Sequence, residues 1–273
     1  MLKDITLGQY FPGNSLIHRI DPRFKLVLTG LLIAIVFCAK TVAAYCVVFG
    51  LLLFIVLNSK ISLRLILKSL KAIVIFVIFT AVLNIFFTDS ADPWVKWKFI
   101  TIGAEGLIFA AKMVLRIIFL IVGTSMLTYT TSPIMLTDAI EQLFSPLKKL
   151  KFPIHELAMM MSIALRFIPT LIEETDKIMS AQKSRGADFD SGNIIRRARA
   201  LIPLLIPLFV SAFRRADELA TAMESRCYRG GEGRTKYKVM HSSAKDFVAL
   251  GVFVLVLAAV IVLGHFGIGR FGI

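Results

Sequence analysis

Two arginines stand in matching surroundings forty-one residues apart: Arg185 in AQKSRGADF and Arg226 in AMESRCYRG. The ten residues that lead to each align without a gap. DKIMSAQKSR (176 to 185) lies over DELATAMESR (217 to 226), with Asp, Ala, Ser and Arg identical and Ile/Leu and Ser/Thr similar. A guanidinium is a planar fork of donors suited to carboxylates and backbone carbonyls, so its chemistry at such a place is recognition. A cation in the last turn of a helix also gains ~0.3–1 kcal/mol from the helix dipole, and Gly186 is a natural left-handed cap. That local account suffices for one arginine. Two in register at the ends of long helices point to docking on a partner. Weak surface charge pairs hold little, so apolar neighbours seated in a groove must do most of the holding.

No other arrangement in the chain suggests chemistry. There is no GxxxxGK[ST] phosphate loop, no HExxH and no paired CxxC, and His18, His155, His241 and His265 are too dispersed for a metal site. Cys38, Cys46 and Cys227 form neither a ligand set nor a pairing framework. The reading is of a protein with no catalytic residues, no metal and no cofactor. The net charge of +14 raises the question of nucleic acid, but no basic stretch is interleaved with aromatics as single-strand binders require.

The elements that must position the two arginines belong to a membrane protein. The 273 residues are 57% hydrophobic and 18% charged, with a mean hydropathy of +0.77, too apolar for an ordinary soluble domain. Residues 26 to 57 hold one charge, Lys40. As a single helix they would run ~48 Å against a ~30 Å hydrocarbon core, so two helices turning near Lys40 are expected. Further spans are expected at 72 to 87, 106 to 131 and 247 to 263, about five in all. The fold class is all-α and polytopic, with a lipid bilayer as the first partner. MLKDITLGQYFPGNSLIHRIDPRFK is polar before the first apolar run, so that run reads as a retained anchor.

Loop charges orient the chain. Arg19, Arg23 and Lys25 precede the first span and Lys60, Arg64, Lys68 and Lys71 follow the second, whereas Asp89 and Asp92 offset Lys96 and Lys98 after the third. The positive-inside rule puts the N-terminus in the cytoplasm. The interval from about 131 to 245, with 18 of the 32 Lys and Arg residues, then lies on the same side. Trp94 and Trp97 fall where an outer aromatic belt is expected. The organisation is a membrane part over 1–131, a cytoplasmic coupling-helix region over 132–245 and a last membrane helix over 246–273. Lys112 and Arg116, one turn apart in the fourth span, read as snorkelling or pairing with a neighbouring helix.

Within the cytoplasmic interval, Ser132-Pro133 is a helix start with serine as N-cap and proline where no hydrogen bond is lost. A long helix from 153 to 185 carries apolar residues every three or four positions, among them Ile154, Leu157, Met161, Leu165 and Ile168, which predicts a buried face. Pro169 should kink it. A third helix runs from about 193 to 229, bent at Pro203 and Pro207.

At these residues the sequence resembles the transmembrane T component of energy-coupling factor (ECF) transporters of prokaryotes. GNSLIHRIDPRFKL, TYTTSPIMLTDAIEQL, MSIALRFIPTLIEE, AQKSRGADF and AMESRCYRGG carry the resemblance, which covers nearly the whole chain. It implies that Ser184-Arg185-Gly186 and Ser225-Arg226-Cys227 each dock into a groove on one of two ATP-binding cassette ATPase subunits. It also implies a separate S component that captures a vitamin or related micronutrient, with the T component as its platform. Met159, Met160 and Met161 offer an adaptable apolar surface for such a partner, or ordinary packing at the bilayer boundary. Cys227 departs from the family's glycine. Cysteine is a poor left-handed residue, which predicts that the second coupling helix runs on to Gly230 and Gly231.

Two rival readings are weaker. A secondary transporter should show matched halves and mid-membrane ionisable groups, and the halves here do not match. A lipid-directed membrane enzyme needs clustered acids or histidines, and Asp188, Asp190 and Glu224 are scattered.

Overall fold

The computed structural model describes residues 10–87, 93–97, 100–146, 152–189, 193–230 and 240–266. Among these the chain is helical apart from one small hairpin. The elements are α1 (Pro22–Cys38), α2 (Val42–Ser59), α3 (Leu63–Phe87), β1 (Pro93–Trp97), β2 (Ile100–Gly103), α4 (Ala104–Thr130), α5 (Pro133–Leu143), α6 (Ile154–Ser184), α7 (Ile194–Ser225) and α8 (Ala244–His265). The antiparallel β1–β2 pair was not foreseen from sequence. The backbone of Trp94 and Trp97 lies in β1, but the expected aromatic belt concerns side chains outside the described ones.

Local signals explain the breaks. The apolar run from 26 to 57 does divide at Lys40, because Thr41 caps α2 by accepting from the Ala44 N–H at 3.3 Å. Pro133 opens α5 behind Ser132, whose hydroxyl accepts from the Met135 N–H. α6 runs unbroken through Pro169, and α7 through Pro203 and Pro207.

Among the described residues, five helices are long and apolar enough to cross a bilayer: α2, α3, α4, α6 and α8. The set differs by one member from that expected. α1, at 17 residues, sits at the lower limit for a span, and α6 meets the criterion with the lowest mean hydropathy of the five, 1.3.

The chain forms two compact units. The larger comprises, among the described residues, those from 10 to 139 and from 240 to 266. Its core is built from α1 (Leu28, Leu32, Ile35, Val36), α2 (Ala44, Tyr45, Val48, Leu52), Phe119 of α4 and Phe253 and Val260 of α8. Inside lipid, helices associate through close packing rather than water exclusion, which favours small residues at contacts. Gly123 is such a contact: a Cβ there would overlap the Leu32 Cδ2. Arg116 lays its guanidinium over the Phe37 ring, 5.6 Å from the centroid, so this intramembrane cation engages a neighbouring helix.

The N-terminal ends of α1 and α8 are stapled together. Asp21 caps α1 by accepting from the Arg23 N–H at 2.9 Å, and the Arg23 guanidinium pairs with the Asp21 carboxylate at 2.8 Å. Asp246, 1% exposed, accepts from the Asp21 N–H at 3.1 Å and from the Ser243 N–H at 2.7 Å, closing the capping box of α8. Asp21-Pro22-Arg23 thus takes part in a junction between residues 225 positions apart. Burial alone would raise the Asp21 pKa, but the hydrogen bonds and charge of Arg23 outweigh it and hold the carboxyl below its ordinary value.

The second unit spans residues 140–230 among the described ones and consists mainly of α6 packed on α7. Its burial is sparse: Ile154 and Ala158 on α6, and Leu204 and Ser211 on α7. The face of α6 predicted to be buried is only partly so. Leu157 and Met161 are exposed, because few side chains of this unit cover the first half of the helix.

Candidate functional site

The two arginine tips are the same structure built twice. Arg185 is the C-cap of α6 and Arg226 the C-cap of α7. At the first, the Gly186 N–H donates to the Lys183 carbonyl at 3.0 Å and the Ala187 N–H to the Gln182 carbonyl at 2.9 Å. At the second, the Cys227 N–H donates to Glu224 at 2.8 Å and the Tyr228 N–H to Met223 at 3.0 Å. Both are the paired bonds of a Schellman cap, which satisfies carbonyls a helix end otherwise leaves open. Each requires a left-handed residue after the arginine, and Gly186 (φ 88°) and Cys227 (φ 58°) supply it.

Cys227 therefore corrects the expectation that α7 continues to Gly230. The helix stops at Ser225, and the cysteine accepts a conformation that costs a non-glycine residue roughly 1–2 kcal/mol. Gly230 is left-handed as well, at φ 92°, but lies beyond the helix, and Gly231 is outside the described residues. Ser184 and Ser225 turn their hydroxyls back onto the carbonyls of Ser180 and Ala222, at 3.1 and 3.0 Å. They finish the helix and leave the arginines as the presented groups. Ser184, Arg185, Gly186, Ser225, Arg226 and Cys227 are all exposed.

Behind the tips, α6 and α7 are joined by an ion pair between Glu174 and Arg215 at 2.8 Å. These positions are separated by the same 41 residues as the two arginines. From the joint to the tip is eleven residues on either helix (174 to 185, 215 to 226), about 16 Å at the α-helical rise. The repeat seen in the sequence is thus also a relation in space, a local pairing of equivalent positions with two equal arms beyond it. Sequence reasoning passed over Glu174 and Arg215, although extending the alignment two residues toward the N-terminus sets these opposite charges against each other.

Met160 and Met161 are exposed at 54% and 45%, and Met159 is half-buried. On α7, Ile202, Leu205, Ile206, Phe209, Val210 and Phe213 are exposed, leaving the second unit with a broad apolar surface, more than a soluble monomer carries. Among the described residues no cluster of three or more histidine, cysteine or acidic side chains could hold a metal ion.

Comparison with known proteins gives this geometry a context. The profile of the CbiQ family, described as cobalt transport protein, matches residues 13–237. The chain is 54% identical to the energy-coupling factor transporter transmembrane protein EcfT of Clostridium kluyveri over 271 residues, 99% of this chain and all of that one. It is 52% identical to the protein of that name from Ruminiclostridium cellulolyticum over 265 residues, 97% and 99% of the two chains. The Bacillus subtilis protein so named is 48% identical over 261 residues, 96% and 98% of the two chains. With its multi-pass helices and duplicated tips, this chain belongs to the family of transmembrane proteins of energy-coupling factor transporters.

Proposed function

We propose that the chain is the mechanical link of an ATP-driven importer, joining two ATP-binding cassette ATPase subunits to a substrate-binding S component that takes up vitamins or related micronutrients. The observation that carries this reading is the pair of equivalent caps, each presenting one exposed arginine at the end of an arm of equal length. Two like prongs suit two like motor subunits. Each guanidinium offers its donors where the C-terminal end of a helix dipole already favours a cation, and the exposed residues beside it supply the contact area.

In this reading residues 132–245 and the N-terminus face the cytoplasm. α6 is long enough to span, but Glu173, Glu174, Asp176, Lys177 and Lys183 crowd its second half, and a hydrocarbon core excludes such a density of charge. α6 and α7 then act as levers. Displacement of the tips by the ATPases passes through the Glu174–Arg215 joint to the apolar surface that includes Met159, Met160 and Met161, on which the S component rests. The chain itself hydrolyses nothing and needs no cofactor.

The test is co-purification of the ATPase pair, with substrate uptake, in membranes carrying Arg185→Glu, Arg226→Glu or both. Each single variant should lower ATPase recovery and the double variant should abolish uptake, with the chain still inserted. Wild-type recovery and uptake in the double variant would refute the reading.

A further inference from the structure

The helical bundle contains a cavity of about 470 Å³ among α1, α2, α4, α8 and the segment before α1. Its wall is apolar along most of its depth, with Leu32, Leu51, Gly123 and Phe253 at the inner end. The other end is polar, formed by Lys25, Asn58, Thr130 and Lys245. From Lys25 to Leu32 on α1 is ~10 Å and from Lys245 to Phe253 on α8 is ~12 Å at the α-helical rise, close to the ~15 Å of one leaflet's share of a bilayer core. Exposed Leu16, Phe54 and Val248 line it, so its lips are greasy and suit lipid rather than water.

Lining and charge choose the occupant. Apart from the polar groups at one end, the side chains that line the cavity over that depth are almost all aliphatic, a surface suited to extended hydrocarbon. At the polar end the acids are already engaged, Asp21 by Arg23 and Asp246 by two backbone N–H groups. Lys25 is held inside by the Thr130 carbonyl at 2.9 Å. Lys245 is exposed on the rim and, among the described residues, has no ion pair. A largely apolar slot beneath an exposed ammonium that makes no ion pair among the described residues fits a lipid with an acidic head, since basic pockets between membrane helices attract such head groups.

We propose that this cavity binds an anionic phospholipid of the leaflet facing residues 10–25, one acyl chain lying in the slot and the phosphodiester at the Lys245 ammonium. The site depends only on the bundle lying in a bilayer, and stands or falls separately from ATPase coupling. The bound lipid fills the space between α1 and α8 that their own side chains leave open.

The full chain, equilibrated with an equal mixture of phosphatidylglycerol and phosphatidylcholine and then examined by native mass spectrometry, should retain phosphatidylglycerol about fivefold over phosphatidylcholine, since one interfacial lysine is worth ~1 kcal/mol. Lys245→Glu should bring the two lipids to parity or reverse them. Val252→Trp, which fills the slot without altering charge, should reduce retention of both. Helicity and monodispersity of each variant report that it has folded. Equal retention of the two lipids by the unaltered chain, or an unchanged preference in Lys245→Glu, would overturn the proposal, as would cross-links placing a partner protein's helix against Val252.

Discussion

The bundle of α1, α2, α4 and α8 and the pair α6–α7 solve opposite problems. In the first, residues from four helices close a shared core in which Ile35, Val36, Val48 and Val260 are fully buried. In the second, two helices of 31 and 32 residues bury, among the described residues, a handful of side chains and are joined by a partly exposed ion pair. Helices of that length draw stability from backbone propagation and good caps, yet most helical stability in proteins comes from packing a face. The bundle turns many of its apolar side chains onto a shared core, whereas the pair keeps apolar surface exposed and ends in two equivalent caps.

Breaking the bundle should therefore cost more than altering the arms. The largest effect is expected from Asp246→Ala, which strips the partner from the N–H of buried Asp21, at roughly 1–3 kcal/mol for an unsatisfied buried group, and opens the capping box of α8, at about 1 kcal/mol more; the bundle's melting temperature in detergent should fall by several degrees. Gly123→Ala should destabilise by ~1–3 kcal/mol through overlap with Leu32, and Leu32→Ala, costly in the unaltered chain, should cost less when made together with it. Thermal unfolding followed by circular dichroism distinguishes the outcomes.

On the arms the expected changes are smaller and differ in sign. Cys227→Gly should stabilise the end of α7 by ~1 kcal/mol, because glycine adopts the left-handed conformation without strain, and hydrogen exchange at residues 223–228 should slow. Glu174→Gln should cost only ~0.2–1 kcal/mol, the range for a partly exposed pair, and a charge-reversed Arg215→Glu/Glu174→Arg chain should recover it. A drop of several kcal/mol on losing Glu174 would show that the arms are a packed core after all.

Acid should separate the regions too. The Asp21 carboxyl sits below its ordinary pKa, so its stabilising contribution is complete above the unfolded value near 4 and disappears as pH falls through the depressed folded one. The bundle should loosen only at strongly acidic pH, and Asp21→Asn should remove that dependence.

Much of this was legible in the residues because it is local. Lys40 in the long apolar run marks the break between α1 and α2, Ser132-Pro133 marks the start of α5, and Arg185 with Gly186 announces a capped end. What escaped is long-range or conformational. Nothing around Asp21 says that its N–H meets Asp246, nor around Gly123 that Leu32 presses on it, since neither pairing leaves a periodic trace. The left-handed Cys227 was misjudged because an intrinsic preference was weighed against no tertiary or capping gain. The two hydrogen bonds of the Schellman cap supply that gain.

The Asp21–Asp246 staple also dictates an order of assembly. A ribosome releases the start of α1 long before it makes Asp246, so the α1 cap must wait, half-finished, through the synthesis of every intervening helix. The arms can be complete while the scaffold is still open along one side. Any insertion machinery handling this chain has to keep that seam from closing on the wrong neighbour until the last helix arrives.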